Sequence, residues 1–193
     1  MVYRLTKNDL VRTLAGWSKF IKRKVRIIAC GGTAMTLLDV KASTKDIDFM
    51  VPDDKEYIYL AKILRDIGYK NEGGFRWEKE NEFFEIDLFA GKSIHTTELL
   101  ESPLEQGNHI FSQSIGRLYL GILNFYDLIS SKLIRGNSVD YEDCLMLVKS
   151  KGKEINKDLL RKRYNELISY DVSESRIRGN LESFLVRWGK EVK

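Results

Sequence analysis

The chain has 193 residues, 43% hydrophobic and 31% charged, with a net charge of +4. That length buries one substantial core and a small second one, and no apolar run approaches the roughly 20 residues that cross a bilayer. Residues 1–7 lack the apolar core of a secretion signal, and Cys30 and Cys144 are too few for a disulfide framework, so the expectation is a cytoplasmic protein with no membrane partner.

In residues 5–23, Leu10, Leu14, Trp17, Phe20 and Ile21 recur at helical spacing, which predicts a helix with that stripe on the core. Residues 25–30, Val-Arg-Ile-Ile-Ala-Cys, read as a buried strand of β-branched and small residues. Gly31-Gly32 then turns the chain into a short helix over 33–39, whose free N–H groups can face a polyphosphate. Glycine suits that turn because a Cβ would hold the backbone off the phosphates. Asp46-Ile47-Asp48 opens the next strand, 47–51, which Pro52 stops. Strand alternation throws both carboxylates to one face. They repel unless a cation lies between them, and Mg²⁺ or Mn²⁺ suits two carboxylates that leave the other positions to phosphate and water.

Asp53-Asp54 opens a helix to about Ile67, with Gly68 as its stop. Residues 75–79 and 83–89 read as a hairpin. Its second strand carries Asp87 between Ile86 and Leu88, on the same face as Glu85. Asp87 is the preferred third acid and Glu85 the alternative. Residues 91–110, which include Pro103, read as loop, and 117–123 as a strand. From Asn124 the pattern is helical: 124–135, 139–150, 156–169 and 174–189, separated by Gly136-Asn137, Gly152 and Tyr170-Asp171. The fold class is therefore α+β, with a mixed α/β domain over residues 1–115 and a helical domain over 116–193.

A strand ending in Gly31-Gly32, thirteen intervening residues, then Asp46-Ile47-Asp48 and a third acid on a later strand resembles the signature of the DNA polymerase β-like nucleotidyltransferase superfamily. The string GGTAMTLLDVKASTKDIDFMV is similar to the small prokaryotic branch that includes AbiE-type abortive-infection toxins. That resemblance implies a nucleotidyltransferase-like mixed sheet flanked by helices, followed by a C-terminal helical bundle. It also implies transfer of a nucleotide from an NTP such as ATP to a hydroxyl on RNA (tRNA among them), a protein or a small molecule, with release of pyrophosphate. Asp46, Asp48 and Asp87 would be the catalytic and metal-binding acids, for Mg²⁺ or Mn²⁺. Gly31, Gly32, Thr33 and Lys132 would bind the nucleotide, and Asp143 would support the site or the acceptor. A cognate antitoxin would be a partner. The branch often has Arg four residues before the first Asp, where this chain has Ala42, with Lys41 next to it.

Acidic and basic residues balance over 1–150, so the whole net charge falls in 151–193. Its densest part is Lys151, Lys153, Lys157, Arg161, Lys162 and Arg163, and a second cluster spans residues 19–26. These either neutralise nucleic-acid phosphates or form solvated helix faces. Read alone, Lys132 is a snorkelling surface lysine and Asp143 a helix-face acid. His95 and His109 have no zinc-ligand spacing around them and read as ordinary polar residues; Trp17, Trp77 and Trp188 read as packing. The competing functions are a non-catalytic nucleotide- or RNA-binding protein with a relic site, and a sugar transferase using Asp-x-Asp. A metal-dependent nuclease has no use for a triphosphate cradle.

Overall fold

The computed structural model describes residues 3–170 and 174–191; Met1, Val2 and Asp171, which figure in the sequence reading, lie outside them. The chain divides into two compact units. One comprises Met1–Ser93 with Glu101–Leu123, the other Ile94–Leu100 with Asn124–Lys193.

The first unit is built on a seven-stranded mixed sheet. Short β1 (Leu5–Thr6) leads into α1 (Lys7–Ser18), and β2 (Val25–Ala29) is followed by α2 (Gly31–Leu37). Then come β3 (Ser43–Thr44), β4 (Ile47–Val51), α3 (Asp54–Asp66), β5 (Lys70–Gly73), β6 (Arg76–Glu78) and β7 (Ile86–Ala90). Two-residue strands β8 (Ser93–Ile94) and β9 (Thr97–Glu98) precede β10 (His109–Ile115) and β11 (Leu118–Leu123). The sheet runs β10-β11-β2-β4-β7-β6-β5. β2 and β4 pair antiparallel, whereas β11–β2 and β4–β7 are parallel. The central strands are apolar on both faces: Val25, Ile27, Ile28, Ile47, Phe49 and Met50 are fully buried, as expected of strands covered by helices.

Local chemistry sets the helix ends. Thr6 and Asp9 form a reciprocal capping box at the start of α1, and the Asp53 carboxylate accepts from the N–H groups of Lys55 and Glu56, both at 3.0 Å. The predicted helix over residues 5–23 is shorter than its apolar stripe. It ends at Ser18, and Phe20, expected in the core, is 51% exposed. The loop predicted over 91–110 runs into β10, and β5 joins the hairpin as an edge strand. The expected strand over 83–89 begins only at Ile86.

The second unit is helical: α4 (Phe125–Arg135), α5 (Ser138–Lys151), a 3₁₀ turn (Gly152–Glu154), α6 (Lys157–Ile168) and α7 (Glu174–Glu191). Asn124 caps α4 by accepting from the Asp127 N–H at 2.9 Å, and Gly136 ends it in the left-handed conformation, φ +73°. Tyr164, Phe184 and Trp188 are buried at its centre, and the Tyr164 hydroxyl donates to the Ile177 carbonyl at 2.8 Å. The fold class is α+β: a mixed sheet flanked by helices, with a separate helical unit. Among the described residues no helix is long and apolar enough to cross a membrane.

Both cysteines are buried and neither forms a disulfide, and Trp17, Trp77 and Trp188 are all packed inside, at 3% exposure or less.

Candidate active site

Asp48 and Asp87 lie side by side on neighbouring strands. β4 and β7 run in parallel with Asp48 directly beside Asp87, and a carboxylate oxygen of one lies within 4.8 Å of a carboxylate oxygen of the other. Asp46 lies just before β4, two residues from Asp48. Asp87 is 8% exposed, and its Oδ1 has no hydrogen-bond partner among the described residues. Burial, and then the charge of Asp48, push its carboxyl up to about 7; Arg76 opposes the rise, and Asp46 and Glu85 add to it. A buried carboxylate beside two others, with one oxygen unsatisfied, is a strong local demand for a cation. Asp48 and Asp87 are hard oxygen donors of the kind that Mg²⁺ or Mn²⁺ takes, and Asp46 lines a cleft with Glu78, Lys79, Glu82 and Glu85.

Glu85, the other acid on that stretch, is differently placed. Its carboxylate pairs with the Arg76 guanidinium at 3.0 Å and is 38% exposed. Of the two, only Asp87 is buried with an oxygen lacking a partner.

The glycine pair has a local cause that the sequence did not show. Asp48 Oδ2 accepts from the Gly32 N–H at 2.9 Å and from the Thr33 N–H at 3.3 Å. A Cβ on Gly31 would stand 2.5 Å from Asp48 Oδ2, and one on Gly32 would stand 2.5 Å from Thr44 Oγ1. Gly31 also has φ +53°, a region that side chains strongly disfavour. Both glycines therefore allow the first turn of α2 to close on the Asp48 carboxylate, and α2 begins at Gly31 itself, not at Thr33 as expected. Thr33 is fully buried, and its hydroxyl donates to the Asp46 carbonyl at 3.2 Å and accepts from the Asp48 N–H at 2.9 Å. It fixes the backbone of the Asp-Ile-Asp segment. Ala42 is exposed, and the Lys41 N–H closes on the Met35 carbonyl at 3.1 Å.

Lys132 and Asp143 belong to the helical unit. Lys132 is 3% exposed, so it is not a snorkelling surface lysine; its ammonium lies 2.7 Å from Asp143 and 3.4 Å from Asp140. Burial alone would depress it, but the two carboxylates outweigh burial and raise its pKa. Arg135 Nε donates to Asp140 at 2.7 Å, and Arg135 Nη1 donates to His95 Nε2 at 2.8 Å. Burial and the Arg135 charge push His95 down to about 4, so its imidazole is neutral. His109 is structural. Its Nδ1 donates to the Pro103 carbonyl, and its Nε2 accepts from the Tyr119 hydroxyl, each at 2.7 Å.

The basic clusters are largely engaged within the protein. Arg163 forks onto Asp127, which is fully buried, at 2.6 and 2.9 Å. Arg161 pairs with Glu182 at 3.2 Å, and the Lys157 ammonium lies 4.6 Å from the Trp188 ring centroid. In the N-terminal cluster, Arg26 pairs with Glu56 at 2.6 Å and Arg23 stacks over Tyr59.

No protein-family model matches the chain, and no curated protein matches it. Among solved structures it is similar to a protein from Thermotoga maritima described as a "putative nucleotidyltransferase", with 16% identity over 85% of this chain and 98% of that one and a TM-score of 0.44.

Proposed function

We propose that the chain is a metal-dependent nucleotidyltransferase that moves a nucleotide from an NTP to a hydroxyl acceptor. The observation that carries this reading is Asp87, buried beside Asp48 with Oδ1 unsatisfied and its carboxyl held near 7 by burial and by neighbouring carboxylates. An arrangement that disfavours its own charge without a cation is costly unless a cation is part of the working state. Asp46, Asp48 and Asp87 would hold the Mg²⁺ or Mn²⁺. A bound ion of that kind neutralises phosphate charge and makes a hydroxyl easier to deprotonate.

In the reaction, the acceptor hydroxyl oxygen forms a bond to the α-phosphorus. The bond from that phosphorus to the bridging oxygen breaks, and pyrophosphate leaves with the electron pair. Asp87 Oδ1 takes the hydroxyl proton, which is the role open to a carboxylate poised near neutrality. Gly31, Gly32 and Thr33 would receive the β- and γ-phosphates, the Gly32 and Thr33 N–H groups on release from Asp48 Oδ2. The membership of an AbiE-type branch, the antitoxin partner and the choice of ATP belong to the same proposal.

The engagement of the Gly32 and Thr33 N–H groups by Asp48 favours one second reading. On that reading the chain is a non-catalytic nucleotide- or RNA-binding protein in which Asp48 serves as a helix cap.

One experiment separates the two. The protein is incubated with each labelled NTP, Mg²⁺, and in turn total RNA, total protein and a small-molecule extract. Label should appear on one acceptor class and vanish in Asp46→Asn and Asp48→Asn. No label on any acceptor with any NTP would overturn the enzyme reading.

A further inference from the structure

Gly16 lies inside α1, where glycine weakens a helix relative to alanine. A Cβ added at Gly16 would meet nothing within 4 Å, as at Gly179 and Gly189 in α7. The space it leaves open belongs to a cavity of ≈ 610 Å³ in the first unit. That volume is in the range of small-molecule sites. Four aromatic side chains line it: Trp17, Phe20, Tyr69 and Phe84. Phe20 is thus a residue of the cavity wall, which accounts for its departure from the predicted core stripe.

The cavity shares Lys79, Glu82 and Phe84 with a smaller cleft of ≈ 230 Å³ that Asp46 also lines. Together the two present the carboxylates Asp46, Asp66, Glu78, Glu82 and Glu85 and only one ammonium, Lys79. Lys79 lies 3.7 Å from Glu82 and its ammonium is 5.2 Å from the Tyr69 ring centroid. The Tyr69 face therefore already receives a cation, as aromatic faces do. The Tyr69 hydroxyl donates to Glu82 at 2.6 Å and accepts from the Trp17 indole at 3.4 Å, which fixes the wall. Arg76 and Lys79 already pair with Glu85 and Glu82, so an aromatic cation on this lining would meet Asp46, Asp66 and Glu78.

We propose that this cavity binds a hydroxyl-bearing aromatic amine and is the acceptor pocket of the transfer site. The ring packs against Phe20, Tyr69 and Phe84, the ammonium is held by the carboxylates, and the cleft leads the hydroxyl to Asp46. The acceptor role rests on the nucleotidyltransferase reading; the binding does not. In the transfer, the amine's hydroxyl oxygen bonds to the α-phosphorus, its proton passes to Asp87, and pyrophosphate is released.

The probe is tyramine, titrated calorimetrically into the full chain without NTP or metal, beside neutral 4-ethylphenol and anionic 4-hydroxyphenylacetate. Tyramine should bind at least tenfold tighter than 4-ethylphenol, and the anion not at all. Gly16→Leu should abolish binding while leaving the melting temperature at or above the parent's; Thr13→Met serves the same purpose if Gly16→Leu folds poorly. Equal binding of all three compounds, no binding of tyramine, or unchanged affinity in both filled variants overturns the inference. Failure of tyramine to bind leaves the carboxylate site untouched. Binding that is intact and sensitive to Gly16→Leu, with no label transferred from any NTP, instead overturns the nucleotidyltransferase reading and leaves the cavity a site for aromatic amines.

Discussion

Replacing Asp87 with Asn tests the electrostatics of the acid cluster directly. The Asp87 carboxyl is raised from 3.8 to about 7 in the folded protein, whereas an unfolded chain releases that proton near pH 4. Between about pH 4 and pH 7 the folded state therefore holds a proton that the unfolded state has lost, and stability falls as pH rises through that window. The shift corresponds to roughly 4 kcal/mol when the window is crossed fully. Asparagine has no proton to lose, so its stability curve lacks this fall. It carries instead a cost that does not depend on pH, about 1–3 kcal/mol for a buried amide left without a partner. Urea denaturation in EDTA at pH 4.5 and pH 8 measures the difference. Relative to the parent, Asp87→Asn should gain up to about 4 kcal/mol between the two pH values. Added Mg²⁺ should stabilise the parent at pH 8 far more than at pH 4.5, and should help the variant little. Parallel pH curves for parent and variant would show that the three carboxylates do not share one charged site.

Asp48→Ala removes the acceptor of the Gly32 and Thr33 N–H groups and should cost about 1 kcal/mol in thermal unfolding, in the range of a lost helix cap. Asp48→Asn keeps an oxygen there and should cost less, while losing the Mg²⁺ response as fully. Arg163→Ala leaves buried Asp127 without its guanidinium and should destabilise by about 3–5 kcal/mol; Lys162→Ala should be neutral in the same denaturation assay. His95 is held down to about 4, so its contribution to stability is present above its unfolded value near 6.5 and is lost as pH falls toward 4. His95→Gln should flatten that acid limb by at most about 3 kcal/mol, read as a smaller drop in melting temperature between pH 7 and pH 4.5.

The legible parts of this chain are those in which a local pattern and its tertiary setting agree. Residues 25–30 and 47–51 read as strands because strands at the centre of a sheet are apolar on both faces, and β2 and β4 are covered on both. β5 went unread because Lys70, Asn71, Glu72 and Gly73 are all exposed; pairing with β6, not propensity, makes them a strand. β10 is the opposite edge of the sheet and carries no alternation that its mostly exposed pattern could impose. In the sequence a strand period of two put Asp46 with Asp48 and Asp87 with Glu85; the parallel register that sets Asp48 beside Asp87 comes only with the fold. What the sequence could not reveal is how the glycine pair is used. The bond from Asp48 to the Gly32 N–H spans 16 positions, and it exists only because β2, α2 and β4 fold back on one another. The same holds for Lys132. Its neighbours in sequence suit a surface lysine or a phosphate ligand equally, and only the packing of α4 against α5 brings Asp140 and Asp143 to its ammonium. In both cases a group read as waiting for a ligand already has an internal partner. If the transfer reaction is correct, its first step is therefore an exchange: Asp48 must release two backbone N–H groups before a triphosphate can take them. Asp48→Ala should bind NTP without metal better than the parent does, measured by calorimetry in EDTA. Weaker binding by that variant would mean that the glycine turn is a cap and not a cradle.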